Sequence, residues 1–328
     1  MIFCCPHCHS DLVERESVVN CLGCKREFEK VCGIPDLRVT GDSWIDFGED
    51  IVTARQLAVM DGSLEELVRS VYARRDGWDA ARIERRTREV LSAPGRMAPE
   101  VDGWLNGTCF GEGPLLDLGC GAGTLLAALA ESGKNGIGID VSLTWLVVAK
   151  RLIEERGGKP ELAAAMGESL PLRSGAVSGV VSLDVIEHVR APAAYLREIN
   201  RVVRSEGKFA ISTPNRFSLT AEPHVFVWGV GWLPRPWQSG FVSWRSGKTY
   251  DDTVLMSSAE LARKIRTNTD FDYRIIIPTV PKEHISEFAK SKAVVAKLYN
   301  QVASFALFRW ALLVVAPFFR VVGTKTST

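Results

Sequence analysis

The residues with the plainest chemistry stand in three groups. Cys5-Pro6-His7-Cys8 and Cys21-Leu22-Gly23-Cys24 are two C-x-x-C knuckles about a dozen residues apart, a spacing that places four thiolates around one tetrahedral Zn²⁺. Cys4, His7, His9 and Cys32 stay outside that set; Cys4 could replace Cys5, but the register with Cys8 favours Cys5. The second group is the run 115–124, LLDLGCGAGT, which reads as a buried strand, a glycine-rich turn and the start of a helix. Gly119, Gly121 and Gly123 leave no Cβ where a ligand must approach the backbone, and the amides of the turn face whatever binds there. About twenty residues on, Asp140 ends a second strand with a carboxylate suited to a ribose diol. In the third group Asp184, Glu187 and His188 stand at i, i+3 and i+4, so one helical turn would show two carboxylates and an imidazole on one face. That set suits Mg²⁺ or Mn²⁺. His188, and His224 in Glu222-Pro223-His224, are the candidate general bases.

The full D-x-G-x-G-x-G spacing from Asp117 to Gly123 resembles motif I of the class I S-adenosylmethionine-dependent methyltransferases. The resemblance covers about 113–328 and implies an α/β fold, a doubly wound, Rossmann-like, seven-stranded sheet. It implies S-adenosylmethionine as cofactor, with Asp117, Gly119, Gly121 and Gly123 shaping the methionine and ribose pocket and Asp140 holding the ribose hydroxyls. Many relatives carry an Asp that contacts the adenine amino group where this chain has Met166. Adenine would then be held by backbone groups at Met166 and Gly167, by apolar packing, or by Glu168. The turn at 184–188 resembles that of the ubiquinone-biosynthesis O-methyltransferases, whose acidic-x-x-Glu-His turn binds a divalent cation beside the hydroxyl that is methylated. The run 33–37, GIPDL, is similar to the tail of zinc-ribbon modules that precede some bacterial methyltransferase domains.

These residues need elements to position them. A ribbon at 1–38 is too short to bury a core of its own, so structural zinc would supply its folding free energy. A helical linker is expected at 39–112, with Leu57, Met60, Leu64, Leu67, Val68, Val71 and Tyr72 at helical spacing. The resemblance implies that this segment forms a lid that brings Tyr72 near the cofactor, while its arginine run reads as a solvated face laced with i,i+4 pairs. From 114 onward strands alternate with helices, the pattern of a parallel sheet. Strands are expected at 161–165, 179–183, 207–212, 273–277 and 318–323. An insertion at 217–256, with Trp228, Trp232, Trp237 and Trp244, is expected to cap the substrate or form a satellite core. An apolar helix is expected at 293–315; Arg309 near its middle argues against spanning a membrane and favours packing on the site or lying in the interface.

The sequence thus predicts an O-methyltransferase acting on a small, partly apolar acceptor, with His188 or His224 activating the hydroxyl. N- or C-methylation is a rival within the class. The net charge of +1 does not favour a nucleic-acid partner, which weakens an RNA methyltransferase reading. A non-catalytic scaffold on a methyltransferase core is a further alternative, drawn from the Met166 departure. The opening residues lack a basic region and an apolar run, so the expected setting is the cytoplasm, with peripheral membrane contact through the C-terminal helix.

Overall fold

The computed structural model describes residues 2–42, 45–97, 113–280, 285 and 290–327. Four short antiparallel strands, β1 (Leu12–Glu14), β2 (Val18–Cys21), β3 (Glu27–Val31) and β4 (Ile34–Pro35), form the ribbon expected at the start of the chain. Its Phe3, Leu12, Val19 and Phe28 do not make a separate core but join the apolar layer beneath the main sheet. That sharing follows from size, because so small a sheet cannot exclude water on both faces.

Three helices follow: α1 (Phe47–Ala58), α2 (Leu64–Ala73) and α3 (Ala80–Ser92). Ser63 and Glu66 close a capping box at the start of α2, satisfying two of the amides a helix start leaves open. The far end of the expected linker, 98–112, lies outside the described residues.

The main sheet holds β5 (Leu115–Leu118), β6 (Gly136–Asp140), β7 (Glu161–Ala164), β8 (Val177–Leu183), β9 (Val203–Pro214), β10 (Phe271–Ile276) and β11 (Phe318–Lys325). Their order is β10-β11-β9-β8-β5-β6-β7, with β11 antiparallel to both of its neighbours and the others parallel. Helices α4 (Thr124–Glu131), α5 (Leu143–Glu155) and α6 (Pro192–Val202) make the crossovers. This is the doubly wound seven-stranded sheet the resemblance implies, and the alternation of strands and helices gives its parallel part. The chain leaves β5 toward β6 on one side and returns to β8 on the other, so a crevice opens at their carboxyl ends.

Two regions differ from expectation in their helices, while the satellite core of the insertion is one of the two alternatives expected. The insertion holds a regular helix, α7 (Arg235–Ser246), and a satellite core of Val225, Val227, Val230, Val242 and Tyr250. Its four tryptophans stay exposed, Trp244 to 78%, because valines rather than indoles fill the interior. After α8 (Ser258–Asn268), the expected single apolar helix is two, α9 (Lys290–Ser304) and α10 (Ala306–Val315), parted by extended backbone at Phe305. Among the described residues no helix is long and apolar enough to cross a membrane.

Candidate active site

The apolar run Leu115–Leu118 is buried along its whole length, as a central parallel strand requires, and it delivers Gly119 to the crevice. Gly119 sits at φ +78°, and a Cβ there would meet Val185 Cγ2 at 2.2 Å, so no other residue fits. The Gly121 amide donates to Asp140 Oδ2 at 2.8 Å and the Ser142 amide to Oδ1 at 2.9 Å. Asp140 is thereby clamped between the glycine turn and the start of α5. The expected equivalence of the three glycines does not hold. Gly121 opens onto a smaller recess beside Tyr72 and Trp145, whereas a Cβ on Gly123 would meet that of Ala149 at 2.7 Å. Gly123 therefore serves the close approach of α4 to α5.

A cavity of about 600 Å³ occupies the crevice, within the usual size range of small-molecule sites. Gly119, Asp140, Met166, Gly167, Glu168, Asp184 and His188 line it. So do Asp46, Glu49 and Asp50 of the α1 region and Val71, Arg74 and Arg75 at the end of α2, so the linker does wall the cavity. Tyr72 does not reach it; its ring is buried, stacked on Trp78 at 5.4 Å and edge-on to Trp145 at 5.2 Å. Glu168 lies on the rim and accepts the Ala191 amide at 3.3 Å.

Asp117 departs from expectation in a different way. It is buried under the turn and does not line the cavity. Burial, with the charge of Asp140 adding to it, pushes its carboxyl up to about 7. Burial also raises Asp140, against the Ser142 and Gly121 amides that favour its charged form.

The turn after β8 corrects the expected metal set. Asp184 sits at φ +56°, off any helical turn, and its carboxylate accepts the Ser212 hydroxyl at 2.8 Å. Glu187 and His188 are instead joined by His224 from the insertion, with one ligand atom of each within 4.8 Å of the others. The rings of His188 and His224 meet edge-on, centroids 4.7 Å apart. His224 stands behind His188 rather than in the cavity, and the buried Glu222 carboxylate orients it through a 2.5 Å contact to Nδ1. Thr213 Oγ1 donates to Glu187 Oε2 at 2.9 Å, while the buried Oε1 meets no donor among the described residues. Burial, with Asp184 nearby, pushes Glu187 up to about 8; burial, then His224, brings His188 down to about 4. Near neutrality the pair is a protonated carboxyl beside a neutral imidazole.

Residues 116–211, from the first strand of the crevice to the strand that ends it, match the family described as a methyltransferase domain. Residues 116–211 therefore carry a methyltransferase domain. It is 32% identical over 157 residues to a ubiquinone biosynthesis O-methyltransferase of Methylobacterium sp. (strain 4-46), covering 47% of this chain and 57% of that protein. A protein of the same description from Pseudomonas aeruginosa (strain UCBPP-PA14) is 28% identical over 186 residues, 50% of this chain and 77% of the other. The match to the counterpart from Azorhizobium caulinodans covers 49% of it, so the chain spans about half the length of the first curated relatives it matches. Phosphoethanolamine N-methyltransferase 2 of Haemonchus contortus aligns over 73% of this chain and 53% of its own, at 18% identity and a TM-score of 0.46.

Outside the methyltransferase domain the cysteine knuckles do converge. Cys5 Sγ lies 3.6 Å from Cys24 Sγ and Cys8 Sγ 3.4 Å from Cys21 Sγ, and all four sulfurs fall within 4.8 Å of one another. Edges of about 3.8 Å belong to a tetrahedron with Zn–S bonds of about 2.3 Å, so the four residues fit a zinc ion. Cys4 turns away, its sulfur 3.9 Å from His9 Nδ1. The Cys8 thiol, held by hydrogen bonds from Ser10, is brought down to about 5, the direction a metal-binding thiolate needs.

Among the cavity residues that escaped sequence reading, one is a buried carboxylate. Asp50 lies on the buried face of α1 with Ala54 and Leu57, and it accepts the Leu143 and Thr144 amides of α5 at 2.8 and 3.1 Å. The available signal was an aspartate standing where the helical period puts an apolar side chain.

Proposed function

We propose that this chain transfers the sulfonium methyl group of S-adenosylmethionine to a hydroxyl oxygen of a small, partly apolar acceptor. One observation carries the cofactor half: Asp140, clamped by two amides at the tip of β6, faces the same cavity as the bare backbone of Gly119. Each of its oxygens keeps a lone pair for a ribose hydroxyl. The ring of carboxylates from Asp46, Glu49, Asp50, Asp140, Glu168 and Asp184 suits a cationic sulfonium. Met166, buried on the cavity wall beside Gly167, offers adenine an apolar face with backbone groups for its edge. Asp117 stays buried beneath the turn and does not line the cavity.

In the transfer the S–CH₃ bond breaks as the O–CH₃ bond forms, leaving S-adenosylhomocysteine, and the acceptor's proton must leave. His188 is the imidazole that lines the cavity; depressed to about 4, it stays neutral and is the candidate to receive the hydroxyl's proton. His224, held by Glu222, packs edge-on against it and fixes its ring. Alignment in a walled cavity supplies the larger part of the acceleration. Glu187, His188 and His224 also fit a divalent ion: the orphaned Glu187 Oε1 and the two-nitrogen, one-oxygen set suit a borderline ion such as Zn²⁺ or Mn²⁺ better than Mg²⁺. Such an ion would act as a Lewis acid on the acceptor oxygen.

The acceptor's apolar character draws on the surface beside the site. The Trp228 and Trp232 indoles donate to Leu219 and Ser218 carbonyls, and the Leu219 amide bonds to Val315 at the end of α10. The segment that holds Trp228 and Trp232 therefore meets the end of α10. Lys290, Lys292, Lys297 and Arg309 fall between 290 and 316 with no acidic residue, which suits an anionic membrane surface. The relatives described as ubiquinone biosynthesis O-methyltransferases favour oxygen as the methylated atom. Calorimetric titration with S-adenosylmethionine, then a screen of phenolic and lipid-linked acceptors for methyl transfer, tests the reading; a folded, zinc-loaded chain that binds no cofactor refutes it.

A further inference from the structure

The N-terminal module touches both lips of the central cavity. Its tail ends on Arg38, whose side chain is almost wholly enclosed. Arg38 donates to both carboxylate oxygens of Asp36, to Asp50 Oδ2 at 2.8 Å and to the Val141 carbonyl at 3.0 Å, with the Phe47 ring 4.0 Å from the guanidinium carbon. Asp50 in turn accepts the Ser142 hydroxyl at 3.2 Å and the first amides of α5, and the Ser142 amide holds Asp140. A continuous hydrogen-bonded chain thus runs from the ribbon to the carboxylate proposed to grip the ribose. Arg38 itself does not line the cavity. On the other lip the first knuckle meets the loop that follows Met166 and Glu168. The Cys4 amide donates to the Pro171 carbonyl and the Ser169 hydroxyl to the Pro6 carbonyl, both at 2.9 Å. Between them the Leu37 amide bonds to Ala164 at the end of β7.

We propose that the metal-folded ribbon is a positioning element for the cofactor cavity, with Arg38 as its positioning residue, so that zinc occupancy and cofactor affinity are linked. The inference rests on the cofactor reading given above. A module of this size does not hold its shape without metal. Losing the ion frees the groups that fix the Asp140 loop and the 166–172 loop, and their regained mobility must be lost again when a ligand binds. Linkage is reciprocal: whatever factor zinc contributes to cofactor affinity, the cofactor contributes to zinc affinity. A ribbon that served only as an external docking module would show no such coupling.

The test uses the full-length, zinc-loaded chain and S-adenosylhomocysteine as the probe. Arg38→Gln should weaken the probe about tenfold by calorimetry while zinc content and the circular dichroism spectrum stay as in the wild type. In the wild type, saturating probe should raise zinc affinity about tenfold in competition against a chromophoric chelator. KM for S-adenosylmethionine should rise in the variant with kcat held, and Arg38→Lys should recover part of the loss. Should Arg38→Gln fail to fold, Ser169→Ala on the opposite lip and the wild-type competition decide. Unchanged zinc affinity under saturating probe, with variant affinities within about twofold of the wild type, overturns the proposal. A wild-type chain that binds no probe removes both this inference and the cofactor reading; binding without linkage removes this one alone.

Discussion

Asp117→Asn should make the protein relatively more stable as pH rises. The carboxyl is buried beneath the glycine turn, and it is pushed up to about 7 from an ordinary value of 3.8. Between those two values the native chain keeps a proton that the unfolded chain releases. Stability contributed at Asp117 is therefore whole below pH 3.8, falls as pH rises toward 7, and is flat beyond. Each pH unit crossed is worth about 1.4 kcal/mol, so the full loss by pH 8 is about 4 kcal/mol, of which somewhat over a third has gone by pH 5. Asparagine keeps the shape without the titration, and whatever its amide costs in packing is the same at every pH. The comparison is urea unfolding of zinc-loaded wild type and variant at pH 5 and pH 8. The stability difference between them should move by about 3 kcal/mol in the variant's favour. His188, depressed to about 4, shifts stability in the opposite direction below pH 6.5, but it is present in both proteins and cancels. A difference flat to within about 0.5 kcal/mol would mean that Asp117 is ionised in the native state and that burial does not govern it.

Four further outcomes follow from the geometry. Asp140→Asn should lower S-adenosylmethionine affinity about tenfold by calorimetry, since the charged acceptor at the ribose is lost and the single remaining oxygen can serve only one of the two clamping amides. Gly119→Ala should destabilise the chain by about 2–4 kcal/mol in urea unfolding, from the positive φ and from the Cβ driven against Val185; a loss under about 1 kcal/mol would show that the turn yields. Elemental analysis should find one zinc per chain held at the knuckles, abolished by Cys21→Ser; retention of the metal would move the ligand set to Cys4 or Cys32. Co-sedimentation with vesicles containing anionic lipid should fall when Trp237 and Trp244 are changed to serine and when salt is raised, and equal binding to neutral vesicles would refute the charge argument.

What was legible in the sequence was local. The strand, glycine turn and helix from 115 to 131, the tip of β6 at Asp140 and both cysteine knuckles are each specified by neighbours a few residues apart, and each stands where the pattern put it. The same reading went astray when one spacing admitted two geometries. Asp184, Glu187 and His188 share a face only on a helical turn, and the left-handed backbone at Asp184 breaks that register before it starts. The third partner of Glu187 and His188 then comes from His224, more than thirty residues away across β9. Alternate glycines likewise look alike in sequence, yet Gly119 meets Val185, Gly121 faces a recess and Gly123 meets Ala149, because each side of the turn packs on a different element.

The residues missed altogether share one physical feature: they act through a charge buried by a contact distant in sequence. Asp50 reaches the amides of Leu143 and Thr144, and Arg38 reaches the carbonyl of Val141, across about a hundred residues of chain. No window of sequence encodes that pairing, because a solvated arginine and a solvated aspartate look the same until the fold encloses them. Enclosure is also what gives them leverage. A carboxylate and a guanidinium shut away from water must keep every partner or incur the cost of an unpaired buried charge, so the groups they bond are held in place. The loop that carries Asp140 is held from behind in this way by Asp50 and Arg38, in addition to the bonds its own residues make. Its placement is therefore a property of the N-terminal module, the linker helix and the parallel sheet acting together.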